Sequence, residues 1–431
     1  MNTRYFEDKY LIHVIGIGYV GLPLALLFSS KYSVIAFDES QGRIEQLKKQ
    51  YDKNNEFNSD ELNKKDIIFL NKIVKPSVPS IFIVTVPTPI DDEKEPDLTN
   101  LVQATSTVGS IISKGDIVIF ESTVYPGCTT EICVPILEAK SNLTLNDDFS
   151  VGYSPERINP GDKLRTVEMI DKLVSSSSAE SLQVIHKLYS SVMLAPVHKI
   201  SKIEIAEAAK VIENIQRDVN IALMNEFSHI FNKLGLSTNE ILEAASTKWN
   251  FLDFKPGLVG GHCIGVDPYY LVHKAKEVDY FPELILTARR INESMVQLVT
   301  NEIVDKTRIF EKENKKIKIL ILGYTFKENV SDTRNSKIVE IVDMLLKNDF
   351  QVNIYDPNIV QEDFVVNIKT EHRELFLYEI QKEQYHCLVV GVNHNLFQGI
   401  YRQIEKNSLL PDGIIFDLPN VGKFTEVSFA L

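Results

Sequence analysis

Short apolar runs bounded by glycine, proline and charged residues alternate along this chain with longer segments whose apolar positions recur every three or four residues. Near the N-terminus, LIHVIGIGYVGLPLALLF reads as a strand, a glycine turn and a helix, and VIAFD follows as a second strand. SIFIVTVPTP and DIVIFEST read as further strands. They are apolar on both faces, as parallel strands covered by helices are. A second series opens at KIKILILG and runs through VNIYDP, CLVVGV and GIIFDLP. The pattern predicts an α/β fold with two doubly wound, Rossmann-like domains. Between them, Ser201 and Glu204 form a capping-box pattern and Gly235 stands as a C-terminal stop, so residues 201–234 are expected to form one spine helix in a central helical domain. Its apolar residues wrap more than one face. A further helix over 282–310 carries Arg289 and Arg290, and low complexity is confined to the serines at 175–178.

Composition narrows the class. With 431 residues, 44% of them hydrophobic, the chain can fill two or three cores. No apolar run approaches the roughly 18 residues of a membrane span, and the start, with Arg4, Glu7, Asp8 and Lys9, lacks a signal peptide's apolar core. A cytoplasmic location without membrane contact is expected. The net charge of -13 excludes a broad surface for nucleic-acid phosphates. Cys128, Cys133, Cys263 and Cys387 are too few for a disulfide framework and read as reduced thiols.

Chemistry enters at three places. Gly16, Gly18 and Gly21 form G-x-G-x-x-G between a strand and a helix, and Asp38 ends the next strand, twenty residues after Gly18. The glycines permit a tight turn and close approach to a pyrophosphate; the carboxylate accepts ribose hydroxyls and repels a 2′-phosphate, favouring NAD over NADP. In GGHCIGVDPYY, Cys263 lies among Gly257, Gly260, Gly261 and Gly265, with Asp267 four residues on. A lone cysteine is commonly a small buried residue; here the glycines leave backbone uncovered, as a close-fitting ligand requires. His262 beside Cys263 makes a poor zinc site without further Cys/His pairs, and no metal is expected. Lys210 and Asn214 share one face of the spine, and Glu156 lies in YSPERINPGDK; each, taken alone, also reads as an ordinary surface residue.

Seven motifs together resemble the UDP-glucose/GDP-mannose dehydrogenase family over nearly the whole chain: GIGYVGLP (16–23), VTVPTP (84–89), ESTVYPG (121–127), SPERINPGD (154–162), Lys210 with Asn214 in AKVIEN, GGHCIGVDP (260–268) and GYTFKENVSDTRNS (323–336). The resemblance implies an N-terminal NAD-binding Rossmann domain (1–198), a central helical dimerisation domain (199–305) and a C-terminal UDP-sugar-binding Rossmann-like domain (306–431). It also implies oxidation of a nucleotide-sugar C6 alcohol to the carboxylate in two steps. By this likeness Cys263 attacks the intermediate aldehyde, forming a thiohemiacetal whose oxidation yields a thioester for hydrolysis. Lys210 and Asn214 hold the C6 oxyanion, Asp267 holds water or Lys210, Glu156 is the acid/base, and Thr123 assists near the nicotinamide. The cofactor residues implied are Gly16, Gly18, Tyr19, Val20, Gly21, Asp38, Arg43, Thr85, Thr88, Thr123 and Arg334. The substrate residues implied are Arg157, Asn159, Lys210, Asn214, Gly257, Gly260 and Lys327.

After SPE, the loop Arg157 to Asp162 is similar to that of members acting on N-acetylated hexosamines. An arginine and an asparagine there can pair an acetamido group. On this resemblance UDP-N-acetylgalactosamine is the expected substrate, in surface-polysaccharide synthesis, by a homodimer or higher homo-oligomer; UDP-N-acetylglucosamine, UDP-N-acetylmannosamine and UDP-glucose are the alternatives. A different class, a nucleotide-sugar-binding regulatory subunit, would lack Cys263, Lys210 or Glu156, and all three are present.

Overall fold

A computed structural model describes residues 3–7, 9–54, 56–63, 66–158, 164–261, 263–313, 316–359, 368–380, 382 and 385–431. The chain forms two compact units, Met1–Glu213 with Tyr269–Phe281, and Asn214–Pro268 with Pro282–Leu431.

The first unit is built on an eight-stranded sheet. Its strands are β1 (Leu11–Ile15), β2 (Val34–Phe37), β3 (Ile67–Leu70), β4 (Ser80–Val84), β5 (Ile117–Phe120), β6 (Ser150–Tyr153), β7 (Lys172–Ser176) and β8 (Val197–Lys199). They lie in the order β3-β2-β1-β4-β5-β6-β7-β8. Every neighbouring pair is parallel except β6 and β7. The strand order reverses between β1 and β4, so the crevice beyond their carboxyl ends is where such a fold binds ligands. Helix α1 (Gly21–Ser29) returns from β1 and buries Leu22, Leu24, Ala25 and Phe28 beside Ile12, Val14, Ile81 and Ile83. Helix α2 (Ala179–Val192) covers the sheet with Ile185, Leu188 and Tyr189.

His13 is out of keeping in that core. It is 1% exposed, stacks on Phe82 at 4.7 Å, and neither ring nitrogen has a hydrogen-bond partner among the described residues. Burial lowers its pKa to about 4. Below pH 6.5 the unfolded chain gains a proton that the folded chain refuses until about pH 4. The cost is absent above 6.5 and grows as pH falls, reaching about 3 kcal/mol near pH 4. His13→Leu should therefore flatten the loss of stability between pH 6.5 and 4, read as urea midpoints; an unchanged acid slope would refute this.

Helix α3 (Ile203–Leu234) is the expected spine, 32 residues long. It begins two residues after Ser201, and the Glu204 carboxylate takes a hydrogen bond from the Thr130 hydroxyl at 3.2 Å. It ends as expected: Gly235 has φ +68°, and Leu236 N–H reaches back to Phe231 O at 2.9 Å. The second unit carries a parallel sheet of β9 (Lys318–Leu322), β10 (Gln351–Tyr355), β11 (Tyr385–Val390), β12 (Leu409–Asp417) and β13 (Phe429–Ala430), in the order β10-β9-β11-β12-β13. The architecture is a three-domain α/β fold, two Rossmann-like domains with a central helical domain. Helices α4 (Asp267–Glu277), α5 (Glu283–Thr307) and α6 (Lys337–Lys347) follow in the chain. Among the described residues, no helix is long and apolar enough to cross a membrane.

Candidate active site

The four thiols sort by environment. Cys128 and Cys133 are buried around a single π-helical turn, and Cys387 lies buried within β11. The hydrogen bond with Cys133, then burial, pushes the Cys128 thiol up, and burial does the same to Cys387. Such thiols stay protonated and unreactive. Cys263 alone is exposed.

In the first unit the glycine turn follows β1. Gly16 has φ +92°, and a Cβ at Gly21 would lie 1.8 Å from Gly16 O, so both positions are glycine for the turn's own sake. At Gly18 a Cβ would meet nothing within 4 Å. Helix α1 starts there, behind Tyr19 and Val20, without a side-chain cap or an acidic residue in its first turn, so its N–H groups are suited to a phosphate. Asp38, at the end of β2, accepts from Ile17 N–H and Ser40 N–H, both at 2.9 Å. Each carboxylate oxygen keeps a lone pair for a ribose hydroxyl. Arg43 is buried, donating to Ile17 O at 2.9 Å and pairing with Asp52 at 2.7 Å, while its Nη2 has no partner among the described residues. These features fit a dinucleotide. Thr85 has a part in the turn that the sequence did not suggest. It is buried, and its hydroxyl lies 3.0 Å from Ile15 O and 2.7 Å from Gly16 O, so it braces the glycine turn. Thr88 ties its own loop to the next by donating to Thr123 O at 2.6 Å.

Asp38→Ala should weaken NAD binding about tenfold and narrow the gap to NADP, because the ribose diol loses its acceptor and the 2′-phosphate its repulsion. Titration of both cofactors checks this, and an unchanged ratio would contradict the assignment.

Glu156 lies just beyond β6 and is buried. Its Oε1 accepts from Arg157 N–H at 2.5 Å and Ile158 N–H at 2.6 Å, and its Oε2 from Lys172 Nζ at 3.1 Å. The same ammonium reaches Glu121 at 2.7 Å. Lys172 and Glu121 were not singled out in the sequence, although ESTVYPG contains the latter. Arg157 is engaged within the chain: it binds Glu213 of α3 at 2.9 and 3.2 Å and Asp171 O at 2.8 Å. That leaves two of its five N–H groups for a substrate. Asn159, expected beside it, lies outside the described residues, as does His262.

In the second unit, Cys263 sits on a turn leading into α4, where its carbonyl accepts from Val266 N–H at 3.1 Å and Asp267 N–H at 2.8 Å. Asp267, 2% exposed, takes the Asn214 amide at 2.5 Å. Lys210, the residue one turn before Asn214 along α3, belongs to the first unit and is 7% exposed. The glycines have two reasons. A Cβ at Gly260 would lie 2.6 Å from Asn335 O, and one at Gly261, where φ is +80°, 2.7 Å from Phe326. Those two let the thiol's loop lie on the segment 323–336, a packing reason where the sequence suggested a ligand. Gly257 has open space, and Asn225 holds it through both its N–H (2.8 Å) and its carbonyl (3.0 Å). Lys327 lies 5.5 Å over the Phe326 ring, and Arg334 is clasped by Asp332 at 2.6 Å. Beneath that segment, buried His394 bonds Asn329 N–H at 2.9 Å and Asp356 at 3.1 Å; sequence reasoning had no signal for it.

Residues 10–193 match the NAD binding domain of the UDP-glucose/GDP-mannose dehydrogenase family, 204–294 its central domain, and 320–423 its UDP binding domain. A Salmonella typhi protein named UDP-N-acetyl-D-glucosamine 6-dehydrogenase is 47% identical over 96% of this chain and 97% of its own. A Pseudomonas aeruginosa protein of the same name is 51% identical over 82% and 84%. The solved structure of UDP-D-ManNAc dehydrogenase from Pyrococcus horikoshii superposes with a TM-score of 0.82 at 30% identity, covering 97% of this chain and 98% of that one.

Proposed function

The chain belongs to the UDP-glucose/GDP-mannose dehydrogenase family and is an NAD-dependent oxidoreductase, and on that premise we propose that it oxidises the C6 alcohol of a UDP-N-acetylhexosamine to the uronic acid. The observation that carries this reading is the exposed Cys263 on a glycine-braced loop, four residues from an Asp267 that holds Asn214. When bound at Gly18, Asp38 and Arg43, NAD supplies the hydride acceptor. The chain's own groups do the rest. The Cys263 sulfur adds to the C6 aldehyde, its S–C bond forming as the carbonyl π pair moves to oxygen and is protonated. That thiohemiacetal carries the C–H whose hydride loss leaves a thioester, and water then releases the acid and the thiol. Lys210 steadies negative charge on the C6 oxygen, and Asn214 helps to fix its geometry. Glu156 would move protons, Thr123 would assist at the cofactor, and Lys327 and Arg334 would help to hold the substrate and the cofactor respectively.

Within the hexosamines the gluco epimer ranks first, because relatives at 47% and 51% identity carry that name. The galacto epimer expected from the loop 157–162 has no comparable support. An acetamido group paired by the outward N–H groups of Arg157 would favour N-acetylhexosamines over UDP-glucose by about 1–3 kcal/mol. The setting is surface-polysaccharide synthesis in the cytoplasm. The domain limits are 1–198, 199–305 and 306–431, and the assembly is a homodimer or higher homo-oligomer through α3, which exposes Ile205, Ile212, Leu223, Ile230 and Leu234 at seven-residue and related spacings. A panel of UDP-sugars, followed by NADH absorbance and mass spectrometry, tests the substrate. We expect kcat/KM for UDP-N-acetylglucosamine to exceed that for UDP-glucose at least about tenfold. A ratio at or below one overturns the acetamido reading, and a preference for the galacto epimer changes only the assignment at C4.

A further inference from the structure

The antiparallel strand β7 has a consequence for Glu156. Strands β5 and β6 run parallel, so Glu121 and Glu156 both leave the sheet at its carboxyl edge. Lys172 opens β7, which runs the other way, and the pairing of Gly152 with Ser176 and Tyr153 with Ser175, continued along the strands, sets Lys172 opposite Glu156. A lysine at the start of a parallel strand would lie at the far edge.

The result is one ammonium between two carboxylates in a closed space. Lys172 is 2% exposed, Glu121 1% and Glu156 8%. The Tyr189 hydroxyl of α2 donates to Glu121 Oε1, and its ring lies 5.6 Å from Lys172 Nζ. Stability alone is a weak reason for such a cluster, since well-packed apolar residues serve as well or better than buried ion pairs. Its position at the ligand-binding edge is a better one. Both oxygens of Glu156 are held, one by two backbone N–H groups and one by Lys172, and the next residue, Arg157, is moored to Glu213, three positions from Lys210 on α3.

We propose that Lys172 is a positioning residue that aims the Glu156 carboxylate, and that Glu121 governs how firmly it does so by competing for the same ammonium. This rests on the reading of Glu156 as the acid/base. Burial, opposed by Lys172 and reinforced by the Glu156 charge, pushes Glu121 up to about 7. Lys172 is held protonated, because the two carboxylates outweigh the effect of its burial. The charged groups facing one another are thus Glu121, Glu156 and Lys172, with the Tyr189 hydroxyl beside them. With Glu121 protonated, Lys172 belongs to Glu156; with Glu121 ionised, it is shared.

The test is steady-state kinetics of the full-length enzyme from pH 5.5 to 9. Lys172→Met is expected to lower kcat about tenfold to a hundredfold with KM for the UDP-sugar moved less than about threefold, and Lys172→Arg to recover most of it. Glu121→Gln, close in shape, is expected to remove an ionisation near neutrality from the kcat profile. If Lys172→Met does not fold, Glu121→Gln decides: a profile identical to wild type overturns the proposal, and loss of the ionisation supports it. A folded Lys172→Met with wild-type kcat overturns it as well. Glu156→Gln separates the two levels. Wild-type kcat in that variant removes the acid/base reading and this proposal together, whereas impaired Glu156→Gln beside unimpaired Lys172→Met removes only the proposal.

Discussion

Cys263→Ala should cut production of the uronic acid by at least about a thousandfold while the UDP-sugar still binds within about twofold of wild type. The asymmetry follows from what the sulfur supplies. An alcohol gives up one hydride directly, but the resulting aldehyde has no C–H poised to give a second. The thiohemiacetal does, because addition of the sulfur makes C6 tetrahedral and keeps the intermediate on the enzyme. The wild-type enzyme should therefore form two NADH per acid with no aldehyde released. Removing the sulfur takes away no group that holds the nucleotide, and the loop's shape depends on Gly260 and Gly261 against Asn335 and Phe326 instead. NADH yield with product analysis, beside a binding titration, checks both halves. Normal acid formation in the variant would end the covalent mechanism.

How much of this was legible beforehand depends on which interactions are local. The glycine turn, Asp38 at the end of β2, and Gly235 at the end of α3 are local devices written in neighbouring residues, and the structure places them as read. Strand direction is not local. Nothing in MIDKLVSSSS distinguishes a parallel strand from an antiparallel one, so Lys172 was not singled out and its place between Glu121 and Glu156 stayed hidden. The glycines near Cys263 have a second cause that is not local. Their crowding suggested a ligand, but Gly260 and Gly261 answer to backbone and ring atoms about 70 residues on, which a linear reading does not bring near. Thr85 likewise proved to be a brace for the turn, a role set by the register of β1 against β4.

Lys210→Met should lower kcat about a hundredfold to a thousandfold with little change in KM. The ammonium stands on α3 one turn from Asn214, and both residues are buried, so the charge acts where water screens it weakly. Its partner oxygen bears full negative charge only when the thiol adds to the aldehyde and again when water adds to the thioester, so the loss falls on the transition states and spares the ground state. Lys210→Arg should recover little, because a planar guanidinium cannot occupy the place of a compact ammonium on a buried helix face. Asn214→Ala should cost less, about tenfold, since its amide is engaged by Asp267 and acts on the substrate through geometry. The ordering of these three variants carries the information. A merely structural lysine would lower stability and leave kcat of the folded fraction intact, so thermal midpoints are measured beside the rates. Lys210→Met with kcat within about threefold of wild type would remove the oxyanion role and leave Asn214 and Asp267 as the groups to test at C6.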